Sequence, residues 1–269
     1  MANYDIIGNI GIIKFNNEIS KSEKLEKAQE LMKQYKSLKT VVEKIDKVSG
    51  RLRTIKTKHI LGEKTLIADY VENNCRFKFN IETCYFSPRL SNERMEIAKI
   101  IDRNKRKKLN ILVMFAGVGP FSIIIGKKNE EGEKNKINKI VSVELGKECC
   151  RYAMENVARN KLLSLIEIIQ GDVKRIIPKL VSKKEKFDYI IMPRPNLKYS
   201  FLKEALSVSG KNTKIIYYGF CSEKDLEKML ASLHKEALKC KKRLKITNIK
   251  EAGDIAPYEH RYRVEMIVL

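Results

Sequence analysis

Beyond Asn110 the chain alternates short, almost wholly apolar runs with segments whose apolar residues recur at helical spacing. The runs at 111–115, 140–144, 166–170, 189–192, 214–218, 245–249 and 262–268 read as strands. The segments 120–127, 147–161, 173–180, 199–207 and 223–238 read as amphipathic helices between them. Strands apolar on both faces and separated by helices predict a parallel sheet covered on two sides. No helix separates the last two strands, so they must pair antiparallel, giving a mostly parallel sheet with a reversed edge strand.

The first 109 residues lack this rhythm. Residues 5–15 (DIIGNIGIIKF) read as one strand, bent at Gly8 and Gly11. Ser22 precedes a helix over 23–36, where Leu25, Ala28, Leu31, Met32 and Tyr35 recur on one face. A strand over 40–47, a turn at Ser49-Gly50, a polar strand over 51–59 and another over 76–81 follow. A helix over 93–101 and the basic run 104–108 then lead into the second half. The expected organisation is a small α/β domain over 1–86, a linking helix and basic run over 87–109, and an α/β domain over 110–269.

Composition narrows the classes. With 43% hydrophobic residues the chain can bury a core, so disorder is not expected. No apolar run is long enough to span a membrane, and the N-terminus lacks a basic region followed by a cleavage site. Six cysteines without CxxC spacing read as reduced, mostly buried thiols of a cytoplasmic protein, and three histidines offer little for a metal site. Lys and Arg number 55 against 33 Asp and Glu, a net charge of +22, which suits a polyanionic partner. Richness in Lys, Ile and Asn throughout is the alternative source of that charge.

Three strand ends carry the residues of interest. Gly117 and Gly119 follow the first strand of the second half, where backbone can approach a ligand. Glu144 ends the second, where a carboxylate accepts from ribose hydroxyls, and Asp172 follows the third, within reach of an adenine amino group. Each alone has a plainer reading, as a tight turn, a solvated strand end and a helix cap; in this order they point to a nucleotide. Pro120-Phe121-Ser122 does not complete GxGxxG, which argues against a nicotinamide-dependent oxidoreductase.

Further motifs sharpen the reading: Tyr4 to Gly8 (YDIIG), Arg51-Leu52-Arg53, His59 to Glu63 (HILGE), Cys84 to Leu90 (CYFSPRL), Asn92-Glu93-Arg94, Met114 to Ser122 (MFAGVGPFS) and Ala256-Pro257-Tyr258. Across essentially the whole chain they resemble the archaeal and eukaryotic tRNA (guanine-37-N1)-methyltransferases and their wyosine-pathway relatives. The resemblance implies a class I S-adenosylmethionine-dependent methyltransferase fold, Rossmann-like with an antiparallel terminal hairpin, behind a small α/β domain. It implies that Phe115, Gly117, Gly119, Glu144, Asp172 and Val173 bind S-adenosylmethionine, and that Tyr85, Arg89, Arg94, Pro193, Arg194 and Pro195 meet the substrate, with Arg89 and Arg94 on phosphates. Many members carry a further N-terminal domain that grips tRNA, and this chain begins roughly where that domain would end.

Methylating guanine N1 requires loss of its proton. The resemblance assigns Glu93 as general base and Arg53 as the cation opposite O6, with no metal and with the tRNA anticodon stem-loop as partner. The plainer readings are a helix-start carboxylate for Glu93 and a core ring for Tyr85. Two positions depart from the family: Val113 stands for a usual Asp, and Pro193-Arg194-Pro195 for Asn-Leu-Pro. They keep open methylation at C7 of the tricyclic wyosine intermediate, alone or as well, and a non-catalytic RNA-binding protein. Transfer of an aminocarboxypropyl group is disfavoured by the intact Glu93 and donor loop.

Overall fold

In the computed structural model, which describes residues 3–15, 19–45, 54–132, 136–256 and 258–269, the first apolar stretch is a hairpin rather than one bent strand. Strands β1 (Asn3–Ile7) and β2 (Ile10–Lys14) pair antiparallel around Gly8 and Asn9. Gly8 has φ +59°, and a Cβ there would sit 1.8 Å from the Asp69 carbonyl oxygen, so the position admits only glycine. Helix α1 (Lys21–Gln34) starts two residues earlier than its spacing suggested: Ser20, not Ser22, caps it, in a reciprocal box with Glu23. Strand β3 (Thr40–Lys44) runs parallel to β2, and β4 (Thr57–Gly62) closes a four-stranded sheet in the order β1-β2-β3-β4. The turn at Ser49-Gly50 and the start of the polar strand lie outside the described residues.

Next comes a second hairpin, of which only one strand was expected: β5 (Ile67–Glu72) and β6 (Cys75–Asn80), turned through Asn73 and Asn74 at φ 49° and 59°. Helix α2 (Ser91–Asp102) follows. The second half then delivers β7 (Leu109–Met114), α3 (Pro120–Glu131), β8 (Ile137–Glu144), α4 (Lys147–Arg159), β9 (Ile166–Gln170), α5 (Val173–Ser182), β10 (Phe187–Met192), α6 (Leu202–Ser207), β11 (Ser209–Cys221), α7 (Leu226–Lys239), β12 (Leu244–Ala256) and β13 (Glu259–Val268).

The seven strands order as β12-β13-β11-β10-β7-β8-β9. Strands β7 to β11 are mutually parallel, while β13 is antiparallel to both its neighbours. The reversed strand is therefore not the edge: β13 returns between β11 and β12, leaving β12 outside. Alternate residues serve opposite faces. Ile111, Val113, Ile140 and Ile191 pack beneath α2, α3 and α4, whereas Leu112, Met114, Val141 and Ile190 pack against α5, α6 and α7.

Across the boundary expected at residue 86, the second hairpin packs on elements of the second half. Cys75, Phe77 and Phe79 are buried in the same layer as α2 to α4. Asn160, just after α4, and Asn156, within it, accept from the backbone N–H groups of Arg76 and Lys78 at 2.9 and 2.7 Å. Periodicity hides this, because the strand's partner lies some eighty residues onward. Asn9 in turn clips the first hairpin to the second, accepting from Asp69 N at 2.7 Å and donating to Ile67 O at 3.3 Å. Among the described residues no helix is long and apolar enough to cross a membrane, and the four cysteines at 75, 84, 149 and 150 are buried free thiols.

Replacing Gly8 by alanine drives a methyl group into the Asp69 carbonyl at an unfavourable φ. The variant should lose about 2–4 kcal/mol of stability, read from urea denaturation. An unchanged midpoint would mean that the first hairpin does not dock on β5.

Candidate functional site

Strands β7, β8, β9 and β10 end on the same side of the sheet, where open α/β folds hold ligands. Their loops surround about 1020 Å³ of space. After β7 the backbone turns through the left-handed region at Phe115 (φ 62°) and Gly117 (φ 57°). A Cβ on Gly117 would meet nothing nearer than the Tyr85 carbonyl at 3.8 Å, an ordinary contact, so the left-handed φ rather than crowding favours glycine here. Its N–H donates to Glu144 Oε2 at 2.8 Å, and Gly146 N–H donates to Oε1 at 2.7 Å. Burial pushes the Glu144 carboxyl above its ordinary range, opposed by those two backbone donors.

Asp172 caps α5, accepting from Lys174 N at 2.9 Å, and also lines the cleft beside Val173. The two readings of this residue are thus compatible. Phe115, Pro193, Pro195, Leu197 and Phe201 supply an apolar flank, with Phe115 and Phe201 edge to face at 4.9 Å between centroids. A carboxylate at the end of β8, an aspartate after β9 and an apolar slot between them suit a nucleoside. Phe201, Leu197 and Cys149 escaped the sequence reading. Only their neighbours in space, not their spacing, mark them.

Several expected site residues lie elsewhere. Gly119 does not line the cleft; at φ 86° it opens α3 and packs on Ile123 and Ala153. Arg94 borders the cleft, but its guanidinium is only 2% exposed and is spent on a bidentate pair with Glu72 plus a 3.1 Å bond to Ser87 O. A cation so enclosed has no free face for a phosphate. Arg194 turns away from the cleft, donating to Pro195 O at 3.0 Å and Leu197 O at 2.6 Å over the Tyr217 ring. It staples its own loop, and burial lowers its pKa. Val113 sits fully buried in the apolar layer, a place suited to a hydrocarbon side chain. Arg53 lies outside the described residues.

Glu93 occupies the first turn of α2, buried, with Oε1 accepting from Tyr218 OH at 2.7 Å and from Arg263 Nη1 at 2.8 Å. It is absent from the residues lining this cleft and from those lining a second one beside it. Neither partner was foreseen, although an arginine within the apolar run 262–268 was a visible signal. Residues 85–90 line the first cleft at Tyr85, Phe86, Ser87 and Leu90, and their other side borders a second space of about 1440 Å³. That second cleft lies between the small sheet and β12 and carries Lys44, Arg89 and Arg261 beside Tyr85. Arg89 is exposed and pairs with Asp5 at 2.7 Å.

Comparison with known proteins agrees with this geometry. A model of the TRM5/TYW2 methyltransferase domain matches residues 68–246. The chain is 34% identical over 224 residues to a Pyrococcus abyssi protein named tRNA (guanine(37)-N(1))-methyltransferase Trm5b, covering 83% of this chain and 62% of that one. It thus spans less than two thirds of that relative's length. The crystal structure of Trm5b from Pyrococcus abyssi superposes with a TM-score of 0.82 at 30% identity, over 99% of this chain and 74% of that one. A Nanoarchaeum equitans protein, tRNA (guanine(37)-N(1))/4-demethylwyosine(37)-methyltransferase Taw22, is 28% identical over 99% of both chains. Methanocaldococcus jannaschii Trm5 in complex with adenosine superposes at a TM-score of 0.79 and 25% identity, covering 99% of this chain and 74% of that one.

Because Glu72 and Arg94 are both buried, removing one partner strands the other charge. Arg94→Met should cost about 3–5 kcal/mol in chemical denaturation, and Glu72→Met in the same chain should recover much of it. A phosphate-binding arginine would instead leave stability unchanged.

Proposed function

The chain belongs to the TRM5/TYW2 methyltransferase family, and from that premise we propose that it methylates N1 of guanosine 37 in tRNA, using S-adenosylmethionine. The observation that carries the reading is the shared wall at residues 85–90, with a nucleoside-like cleft on one side and a cleft bearing Lys44, Arg89 and Arg261 on the other. A donor in the first and an extruded base in the second would meet across Tyr85. The Trm5b name of the Pyrococcus abyssi relative supports the acceptor, and the adenosine complex supports a nucleoside in the first cleft.

The residues of the first cleft fit the cofactor. Glu144 would accept from its ribose hydroxyls and Asp172 from its adenine amino group, while Phe115, Val173 and Pro195 would flank the base. Gly117 would leave room for the rest. When bound, the cofactor supplies a methyl group on a cationic sulfur, an electrophile that needs no metal. Everything else falls to the chain.

Guanine N1 carries a proton at neutral pH, and its loss moves charge onto O6. The two donors described for Glu93 both meet Oε1, so Oε2 is the oxygen we assign to proton removal. Arg53 is the proposed cation opposite O6. Tyr85, lining both clefts, would stack on a base drawn out of the anticodon loop. Lys and Arg around the second cleft would hold phosphates without reading sequence. The anticodon stem-loop is then the partner, the cytoplasm the compartment, and no further protein is needed.

A second acceptor is favoured by one observation. Pro193 lines the first cleft where the family commonly places asparagine, so no side-chain amide is available there to orient the base. The relative matching along its whole length is named for both guanosine 37 and 4-demethylwyosine. Activity on the tricyclic base is therefore proposed beside N1 methylation. Nucleoside mass spectrometry of tRNA incubated with labelled donor reads both.

Glu144→Ala should raise the cofactor dissociation constant about 10- to 100-fold, measured by calorimetry. For the wild type, protonating Glu144 removes an acceptor, so affinity should fall as pH drops. Because burial raises this carboxyl, the fall should begin above the ordinary glutamate value of about 4.3. Glu93→Gln should retain cofactor and tRNA affinity while its single-turnover methyl-transfer rate drops by about 10²–10⁴. A rate near wild type would return Glu93 to a purely structural role.

A further inference from the structure

Three side chains form a row across the antiparallel end of the large sheet. Tyr218 on β11 lies directly opposite Arg263 on β13, which lies directly opposite Lys250 on β12. Opposed residues in an antiparallel ladder project from the same face. Here the face looks onto α2, whose Glu93 and Glu96 stand one turn apart and therefore side by side. Tyr218 and Arg263 donate to Glu93; Arg263 and Lys250 donate to Glu96, the Arg263 bond at 2.7 Å. Glu265 takes a further contact from Arg263 at 3.0 Å. The guanidinium of Arg263 is 1% exposed, and Tyr218 is only 2% exposed.

We propose that Tyr218 and Arg263 are positioning residues for Glu93, setting the plane of its carboxylate by holding Oε1 from two sides. The proposal rests on the reading of Glu93 as the base. A glutamate side chain has three rotatable bonds, and on a helix surface it samples many orientations. Two donors on one oxygen remove that freedom and fix where the other oxygen points. The donors are themselves fixed, because each is a buried strand residue and Arg263 is also tied to Glu96 and Glu265. The Arg263 guanidinium holds the Glu96 carboxyl down to about 2, so that tie persists throughout the neutral range. Register along β13 thus becomes orientation at the proton acceptor. Neither residue touches substrate; both act through Glu93.

The test is a double-mutant cycle on full-length protein, with single-turnover methyl transfer measured at saturating cofactor and tRNA, and both affinities measured separately. Tyr218→Phe keeps the ring and removes only the donor. It should slow transfer about 10- to 100-fold, the scale of a slightly misplaced catalytic group, with both dissociation constants unchanged. Added to Glu93→Gln, it should slow transfer no further, since the group it positions is already disabled. Arg263→Lys, which keeps a cation, should retain more activity than Arg263→Met; if the latter fails to fold, the tyrosine cycle decides. Wild-type speed in Tyr218→Phe, or an equal loss in both backgrounds, would overturn the proposal while leaving the base intact. Wild-type speed in Glu93→Gln would overturn the base reading and the proposal together.

Discussion

Two adjacent residues of opposite charge, Glu93 and Arg94, are both buried at the start of α2. Neither can be left alone there, because an unpaired charge away from water costs several kcal/mol. The helix must therefore satisfy partners on two sides at once: Arg263 and Tyr218 from the sheet, and Glu72 from the second hairpin. That double requirement fixes the helix, the hairpin and the sheet against one another. Residues 85–90, which lead into α2, inherit the placement, and Arg94 holds the Ser87 carbonyl directly. Hydrophobic burial brings these pieces together without choosing an angle; the paired charges choose it.

The clefts follow from that arrangement. One is made by strand ends and is apolar along Phe115, Pro195 and Phe201, with Glu144 and Asp172 as its acidic points. The other is made by the contact of the small sheet with the large one and carries basic side chains. In the proposed reaction a shared wall of residues 85–90 would let donor and acceptor be held separately, each by its own cleft.

Much of this was legible from the chain alone. Apolar runs on a covered sheet need no partner to be recognised, so the strands from β7 to β11 and the helices between them emerged from periodicity. Glu144 and Asp172 were readable because strand ends are marked by where the apolar run stops. What failed to show was whatever depends on a distant partner. Strand β5 was missed because only Ala68 and Glu72 of its six residues are buried, so no apolar run marks it. Arg94 looked like a phosphate ligand because nothing near it announces Glu72. Arg194 looked like a substrate contact because its carbonyl acceptors belong to its own loop. Position β13 was predicted as antiparallel, yet its insertion inside β12 is a matter of topology that pattern does not encode.

That insertion has a consequence for the order of assembly. The ribosome releases β13 after every other strand described here, yet β13 fills the gap between β11 and β12. Until it arrives, β12 has no neighbour to pair with, and the acids at 93 and 96 face one another without Arg263 between them. The strand ends of β7 to β10 that carry Glu144 and Asp172 are already present by then, whereas the wall at residues 85–90 and the Glu93 carboxylate take their final placement only when β13 docks. The hairpin of β12 and β13 thus acts as the latch that completes an arrangement whose other pieces come earlier in the chain.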